Sequence, residues 1–352
     1  MNAHEQEKEL QLVTNVMGTV KSFLGVVWDK IIESIHDYIL NPDYRDIILY
    51  APLARRGSLA NRPFTTKLGY ELAGGENSDD IIPLAAAMEI ANCSITYIED
   101  RIIDDDEFIG RKKALHKVHG VGLALLASNG LKSIARSIIF EYEEKCKRAT
   151  FKKMINLFED IFREVDLGQF LDITYGEKAT ATYEDARIIN EMRTGEFIKK
   201  CAQMGAIYAD ADAETFAIIS KAFRIYGTAV QDKNDYNDVM GVDGAPGSYG
   251  QDIRLYKKTK PIVKALELAN EEQKEVLKRI FGKKDASEDE VRKVSDIIHE
   301  CGAMEFVLRD INEASGKAIE ALYLLPDSKA KEDAIGYFKA LKYFEEIYRL
   351  FK

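Results

Sequence analysis

Between Pro83 and Pro246 the chain runs without a proline. Proline both removes a backbone donor and clashes with the preceding turn, so a proline-free stretch of this length leaves room for long uninterrupted helices. The apolar residues use that room. Val27, Trp28, Ile31, Ile32, Ile35, Tyr38 and Ile39 recur at intervals of three and four, which places them on one helix face. Ile155, Phe158, Ile161, Phe162 and Val165 repeat the pattern, as do Phe216, Ile219, Phe223 and Tyr226. Alternating runs bounded by turn residues are scarce, so few strands are expected. Breakers cluster at 41–44, 52–63, 74–83, 240–251 and 283–288, and the Gly-rich GVDGAPGSYGQD of 241–252 reads as a mobile loop or lid rather than a phosphate cradle. The sequence predicts an all-α helical bundle, one domain over 1–352 with a flexible N-terminus at about 1–15.

Composition narrows what such a bundle can do. Hydrophobic residues make up 46% of the chain, with 17 Tyr and 16 Phe, which excludes a disordered polypeptide. Cys93, Cys146, Cys201 and Cys301 form no CxxC pair and read as buried thiols. A net charge of -10 without a Lys/Arg block argues against nucleic acid as a partner. No run reaches the ~18 consecutive apolar residues of a membrane span, and the polar N-terminus lacks the layout of a signal peptide. No transmembrane segment and a cytoplasmic location are therefore expected.

Two acidic clusters each follow an apolar helical run. In the first, Asp100 and Asp104 stand four apart and share a helix face, with Glu99, Asp105, Asp106 and Glu107 around them. In the second, Asn234 and Asp238 are four apart, with Asp235 beside them and Gln231 one turn before. Like charges at that spacing repel by roughly 0.2–0.5 kcal/mol on an exposed helix, a cost that a cation removes. Carboxylate and amide oxygens are hard donors that suit Mg²⁺, an ion commonly held by one or two carboxylates plus substrate phosphates. Arg193-Thr194 and Lys257-Lys258-Thr259-Lys260-Pro261 supply cations for the remaining phosphate charge.

In this order the motifs resemble the trans-isoprenyl diphosphate synthase (polyprenyl synthetase) branch of the class I isoprenoid synthases, over about residues 20–350. Asp100-Arg101-Ile102-Ile103-Asp104 resembles the first DDxxD motif, and Gln231 followed by Asn234-Asp235-Tyr236-Asn237-Asp238 resembles the second. Gly168-Gln169 with Asp172 is similar to the Gly-Gln helix, Arg193-Thr194 to the Lys-Thr pair, Lys257-x-Thr259-x-Pro261 to the Lys-x-Thr-x-Pro segment, and Arg62-Pro63 to the end of the N-terminal Gly-Lys-x-x-Arg-Pro segment. The resemblance implies a bundle around a central cavity, a homodimer, and two acidic motifs facing each other with Mg²⁺ between them and an allylic prenyl diphosphate. It assigns metal binding to Asp100, Asp104, Asn234, Asp235 and Asp238, catalysis to Asp100, Asp104 and Asp235, and diphosphate binding to Arg101, Arg193, Thr194, Gln231 and Lys257.

The departures bear on the reaction. Arg101 stands where the family has a metal-binding Asp, so it would contact the diphosphate or pair with a carboxylate, with Glu99 or Asp105 compensating. The family's Lys falls at Leu59, its His at Asn92, and its Arg-Arg pair at Ile109-Gly110. Arg62, Asn92 and Arg111 remain as candidates for a second-substrate site, isopentenyl diphosphate in chain-elongating members. Charge-assisted bonds contribute roughly 1.5–3 kcal/mol each, so two lost bonds lower affinity on the order of 10²–10⁴. The sequence therefore points first to a terpene-synthase-like enzyme that releases pyrophosphate from an allylic diphosphate without elongation. A chain-elongating prenyltransferase is the alternative, and a non-catalytic subunit of a heteromeric synthase the third reading.

Overall fold

The computed structural model describes residues 3–176, 181–241 and 249–343. Its α-helices are, in chain order, α1 (Ala3–Tyr38), α2 (Pro42–Arg55), α3 (Asn61–Leu72), α4 (Ser78–Ser94), α5 (Asp100–Ile103), α6 (Leu115–Phe140), α7 (Arg148–Gly176), α8 (Tyr183–Asn190), α9 (Glu196–Tyr208) and α10 (Ala213–Met240). They continue with α11 (Gln251–Leu255), α12 (Lys260–Leu268), α13 (Glu271–Ile280), α14 (Glu288–Glu300), α15 (Ala303–Leu322) and α16 (Lys329–Lys339). Two two-residue strands, β1 (Phe108–Ile109) and β2 (Lys112–Lys113), pair antiparallel with Phe108 opposite Lys113. The expected all-α class is what the chain adopts.

Local chemistry sets many of the boundaries. Asn41 accepts from the Tyr44 N–H and so caps α2. Thr182 with Asp185, Asn270 with Gln273, and Ser287 with Glu290 form capping boxes at α8, α13 and α14. Where a loose N-terminus was expected, residues 3–15 are helical and Val13 is fully buried. Of the loop at 241–252, residues 242–248 lie outside the described residues.

The chain divides into two compact units, residues 1–161, 198–223 and 318–352 in the first and 162–197 with 224–317 in the second. In the first unit α4 is buried almost all round, by Ala85, Ala86, Ala87, Met88, Ile90 and Ala91 among others, as a central helix must be. Two glycines bring α3 and α9 into backbone contact: a Cβ on Gly69 would fall 1.9 Å from the Ala202 carbonyl oxygen, and one on Gly205 would fall 2.1 Å from that of Thr66. Trp28 is in this core at 2% exposure. The second unit closes on Ile253, Ile262, Leu277, Ile280, Val291, Val294, Ile298 and Met304.

Contrary to the expectation from apolar run length, three helical stretches, Glu5–Tyr38, Ser78–Ile103 and Leu115–Phe140, are long and apolar enough to cross a membrane by length and composition. For Ser78–Ile103 burial within the protein, 78% of its most apolar window, accounts for that apolarity.

Candidate active site

The predicted residues fall into two groups, one in each unit. In the first unit α4 does not run directly into α5. A π-helical segment, Ile95–Glu99, lies between them. Such one-turn insertions are rare and concentrate at functional sites. This one re-aims the chain just before Asp100. Asp100 opens α5 and Asp104 closes it, the Asp104 N–H donating to the Asp100 carbonyl at 2.9 Å. Both side chains are half-buried.

Arg101 hydrogen-bonds to the carboxylate of Asp106. Burial opposes its charge, but Asp106, Asp100 and Asp104 together hold the guanidinium firmly protonated. Glu99 and Asp105, the residues expected to compensate, each pair with a lysine. Glu99 accepts from Lys132 at 2.7 and 2.9 Å and from Ser128 at 2.7 Å, while Asp105 pairs with Lys117 at 2.6 Å.

Beside this motif lies the candidate second-substrate group. Asn92 is fully buried, donates to Glu89 Oε1 at 3.1 Å and accepts from Thr96 at 2.9 Å. Glu89 is also fully buried. Burial lifts its carboxyl to about 7, against the pull of Arg62, Asn92 and Arg55. Arg111 is exposed on the two-residue turn between β1 and β2, so the expected stand-in for the missing Arg pair points to solvent.

The sequence reading missed Arg55. Its guanidinium carbon lies 4.9 Å from the Tyr97 ring centroid, and a Cβ on Gly110 would sit 3.6 Å from its Nη1. A cation that enters from α2 thus reaches the backbone position where the family's Arg pair was expected. Its Nε is buried without a hydrogen-bond acceptor among the described residues. It lies close enough to Arg101 for the two charges to oppose each other. The only sequence signal was a basic residue shortly before Gly57.

In the second unit a second π-helical segment, Glu191–Gly195, carries Arg193 and Thr194. It packs on α7 through Gly168, where a Cβ would meet Arg193 N and Cγ at 2.9 Å. Arg193 Nη1 donates to Asp172 Oδ2 at 2.7 Å and Lys257 Nζ donates to the same oxygen at 3.2 Å. Two cations thus converge on one carboxylate.

Asp235 is buried at 4% exposure. Its Oδ2 accepts from Asn190 at 2.8 Å and its Oδ1 from Gln231 at 2.8 Å, while Gln231 accepts from Thr194 at 2.7 Å. Thr194 and Gln231, expected to hold a diphosphate, thus brace Asp235. Burial raises the Asp235 carboxyl, the Asn190 hydrogen bond pulls it down, and the Asp232 charge pushes it up again. Asn234 is exposed on α10, one turn before Asp238. Asp238 accepts from the Gln251 and Asp252 N–H groups at 3.2 and 3.3 Å, capping α11. That brings in Asp252, which the sequence reading left in a loop. Burial, then Asp238 and Asp235, raise its carboxyl well above the usual range.

The implied Mg²⁺ fits this donor set. Asp235, Asp238 and Asp252 are all oxygen donors and lie close enough for their charges to repel, a cost that a divalent cation offsets. Among the described residues no three His, Cys, Asp or Glu converge into a ready metal cage.

The sequence profile of the polyprenyl synthetase family matches residues 48–298. The short chain isoprenyl diphosphate synthase of Methanothermobacter thermautotrophicus is 29% identical over 320 residues, covering 90% of this chain and 95% of its own. The crystal structure of geranylgeranyl pyrophosphate synthetase from Pyrococcus horikoshii superposes with a TM-score of 0.81 at 26% identity, over 93% of this chain and 98% of that one. The geranylgeranyl pyrophosphate synthase of Corynebacterium glutamicum, solved with isoprenyl diphosphate and magnesium, shares the fold with a TM-score of 0.83 at 20% identity, over 92% of this chain and 98% of that one. The profile covers well over half of the sequence, and the chain belongs to the polyprenyl synthetase family, as a class I prenyl synthase.

Proposed function

We propose that the protein is a Mg²⁺-dependent, chain-elongating prenyltransferase that joins isopentenyl diphosphate to an allylic prenyl diphosphate. This reverses the order of the two readings drawn from sequence. The missing cations at Leu59, Ile109 and Gly110 carried the case for a lyase. Arg55 supplies a guanidinium beside Gly110, with Arg62 as a second cation attracting the same buried Glu89. That pair is the observation that carries the proposal, and the relatives named as isoprenyl diphosphate synthases support it.

Arg193 and Lys257 bind the allylic diphosphate and Asp172 fixes the spacing of their charges. Asp100 and Asp104 of the first motif, and Asp235 and Asp238 of the second, would each bind Mg²⁺. Mg²⁺, when bound, supplies positive charge to the departing pyrophosphate oxygens. Arg101, paired with Asp106, takes no metal and contributes charge at the edge of the first motif. Arg55 and Arg62 hold the diphosphate of the second substrate, with Asn92 fixing Glu89 between them.

Val118, Val121, Leu123, Leu125 and Leu126 are exposed on α6, apolar surface that a second copy of the chain covers in a homodimer. Light scattering then gives twice the 39.8 kDa chain mass. For the reaction, the test is release of pyrophosphate from allylic diphosphates of several lengths with Mg²⁺. Release that depends on isopentenyl diphosphate supports elongation. Release with hydrocarbon or alcohol products in its absence supports the lyase reading.

A further inference from the structure

Asp232 and Lys260 occupy positions that the motifs leave open: one of the two residues between Gln231 and Asn234, and the residue between Thr259 and Pro261. In the second unit these two positions find each other. Lys260 Nζ lies 2.7 Å from Asp232 Oδ2 and 2.6 Å from Asp310 Oδ2. Lys260 and Asp232 are 2% and 1% exposed. Tyr183 donates to the same Asp310 oxygen at 2.9 Å. On the other side, Asp232 Oδ1 accepts from Asn190 Nδ2 at 2.9 Å, and the same amide nitrogen donates to Asp235 Oδ2 at 2.8 Å. Both partners of that nitrogen are carboxylates, so the amide orientation is fixed by chemistry: only the NH₂ end can face them.

Removing two charges from water costs several kcal/mol per ion, and an apolar pair of similar volume often serves stability as well or better. A buried pair of this kind is therefore poorly explained by stability alone. Its neighbour gives it a task. One NH₂ group holds two carboxylates, Asp232 and Asp235, side by side. Without a cation on Asp232 their repulsion would turn Asp235 away. Lys260 takes up the charge of Asp232. Asn190 can then hold Asp235 in one orientation, with a lone pair still open on each of its oxygens.

We propose that Lys260 is a positioning residue for the second acidic motif, acting on Asp235 through Asp232 and Asn190. The inference rests on the reading of Asp235 as a metal ligand. Two measurements test it on the full-length protein: thermal stabilisation by Mg²⁺ with inorganic pyrophosphate, and turnover with allylic and isopentenyl diphosphates. Lys260→Met is expected to lose most of that stabilisation and to lower kcat about tenfold or more, with the KM for isopentenyl diphosphate unchanged. Adding Asp232→Asn to Lys260→Met removes the uncompensated charge next to Asn190, leaving Asp310 with its Tyr183 donor, and is expected to restore the larger part of both. Should Lys260→Met not fold, Asn190→Ser, which cuts the bridge itself, is expected to give the same double loss. Wild-type stabilisation by Mg²⁺ and pyrophosphate in a folded Lys260→Met or Asn190→Ser variant overturns the proposal, as does a double variant no better than Lys260→Met. A wild-type protein that neither turns over allylic diphosphates nor responds to Mg²⁺ with pyrophosphate refutes instead the reading on which it rests.

Discussion

Arg193 and Lys257 share one acceptor, Asp172 Oδ2, which they approach to 2.7 and 3.2 Å. The three residues come from a π-helical segment, a loop and α7, and their side chains are all largely buried. Each cation contributes a charge-assisted bond to a bound diphosphate of roughly 1.5–3 kcal/mol. Lys257→Met is expected to raise the KM for the allylic diphosphate by about tenfold to a hundredfold while leaving that for isopentenyl diphosphate alone. Steady-state kinetics with each substrate varied in turn checks this.

The close approach of α7 to the Arg193 segment is possible only because residue 168 has no side chain. A Cβ there would press on Arg193 N and Cγ at 2.9 Å and on the Met192 carbonyl carbon at 3.0 Å. Gly168→Ala is expected to destabilise the protein by about 1–3 kcal/mol and to lower kcat/KM for the allylic substrate by displacing Arg193. Thermal unfolding and kinetics on one preparation measure both effects.

Much of this was legible in the sequence, and the limits have physical causes. The 3.6-residue period predicted α1, α7 and α10, because a helix face buried against neighbours must repeat its apolar residues. The two π-helical segments left no such mark, since a single turn of five residues leaves the period on either side intact. The order of the acidic and basic motifs singled out Asp100, Asp235, Arg193 and Lys257 as candidates. Arg55 could not be found that way, because it comes from α2, outside every motif, and only folding brings it beside Gly110. Asp232 and Lys260 were overlooked for a related reason: each stands at a position that its motif leaves unspecified, and only folding makes them partners.

Arg55 separates the two reactions considered. Loss of its charge affects the second diphosphate and not ionisation of the first. Arg55→Gln is expected to raise the KM for isopentenyl diphosphate by about tenfold or more, with the allylic KM unchanged. An equal effect on both substrates would place Arg55 outside the second-substrate group.

Glu89 gives a dependence of stability on pH. Its carboxyl is lifted from 4.5 to about 7 by burial. A raised carboxyl pKa means that the folded state holds the proton more tightly than the unfolded chain. Stability is therefore lost as pH rises from the unfolded value through the folded one. The loss is complete above about pH 7 and amounts to about 3 kcal/mol at most. Glu89→Gln, neutral at every pH, is expected to raise Tm at pH 8 relative to the wild type and to change it little at pH 4. Thermal unfolding of both proteins across that range is the check.

The most direct measurement of the central claim follows carbon. Labelled isopentenyl diphosphate is incubated with the protein, Mg²⁺ and an unlabelled allylic diphosphate, and the diphosphate products are separated by chain length. Elongation predicts that the label appears in an allylic diphosphate five carbons longer than the starting one, or in higher members of that series. Unincorporated label, together with pyrophosphate and an unlabelled hydrocarbon or alcohol, would contradict it.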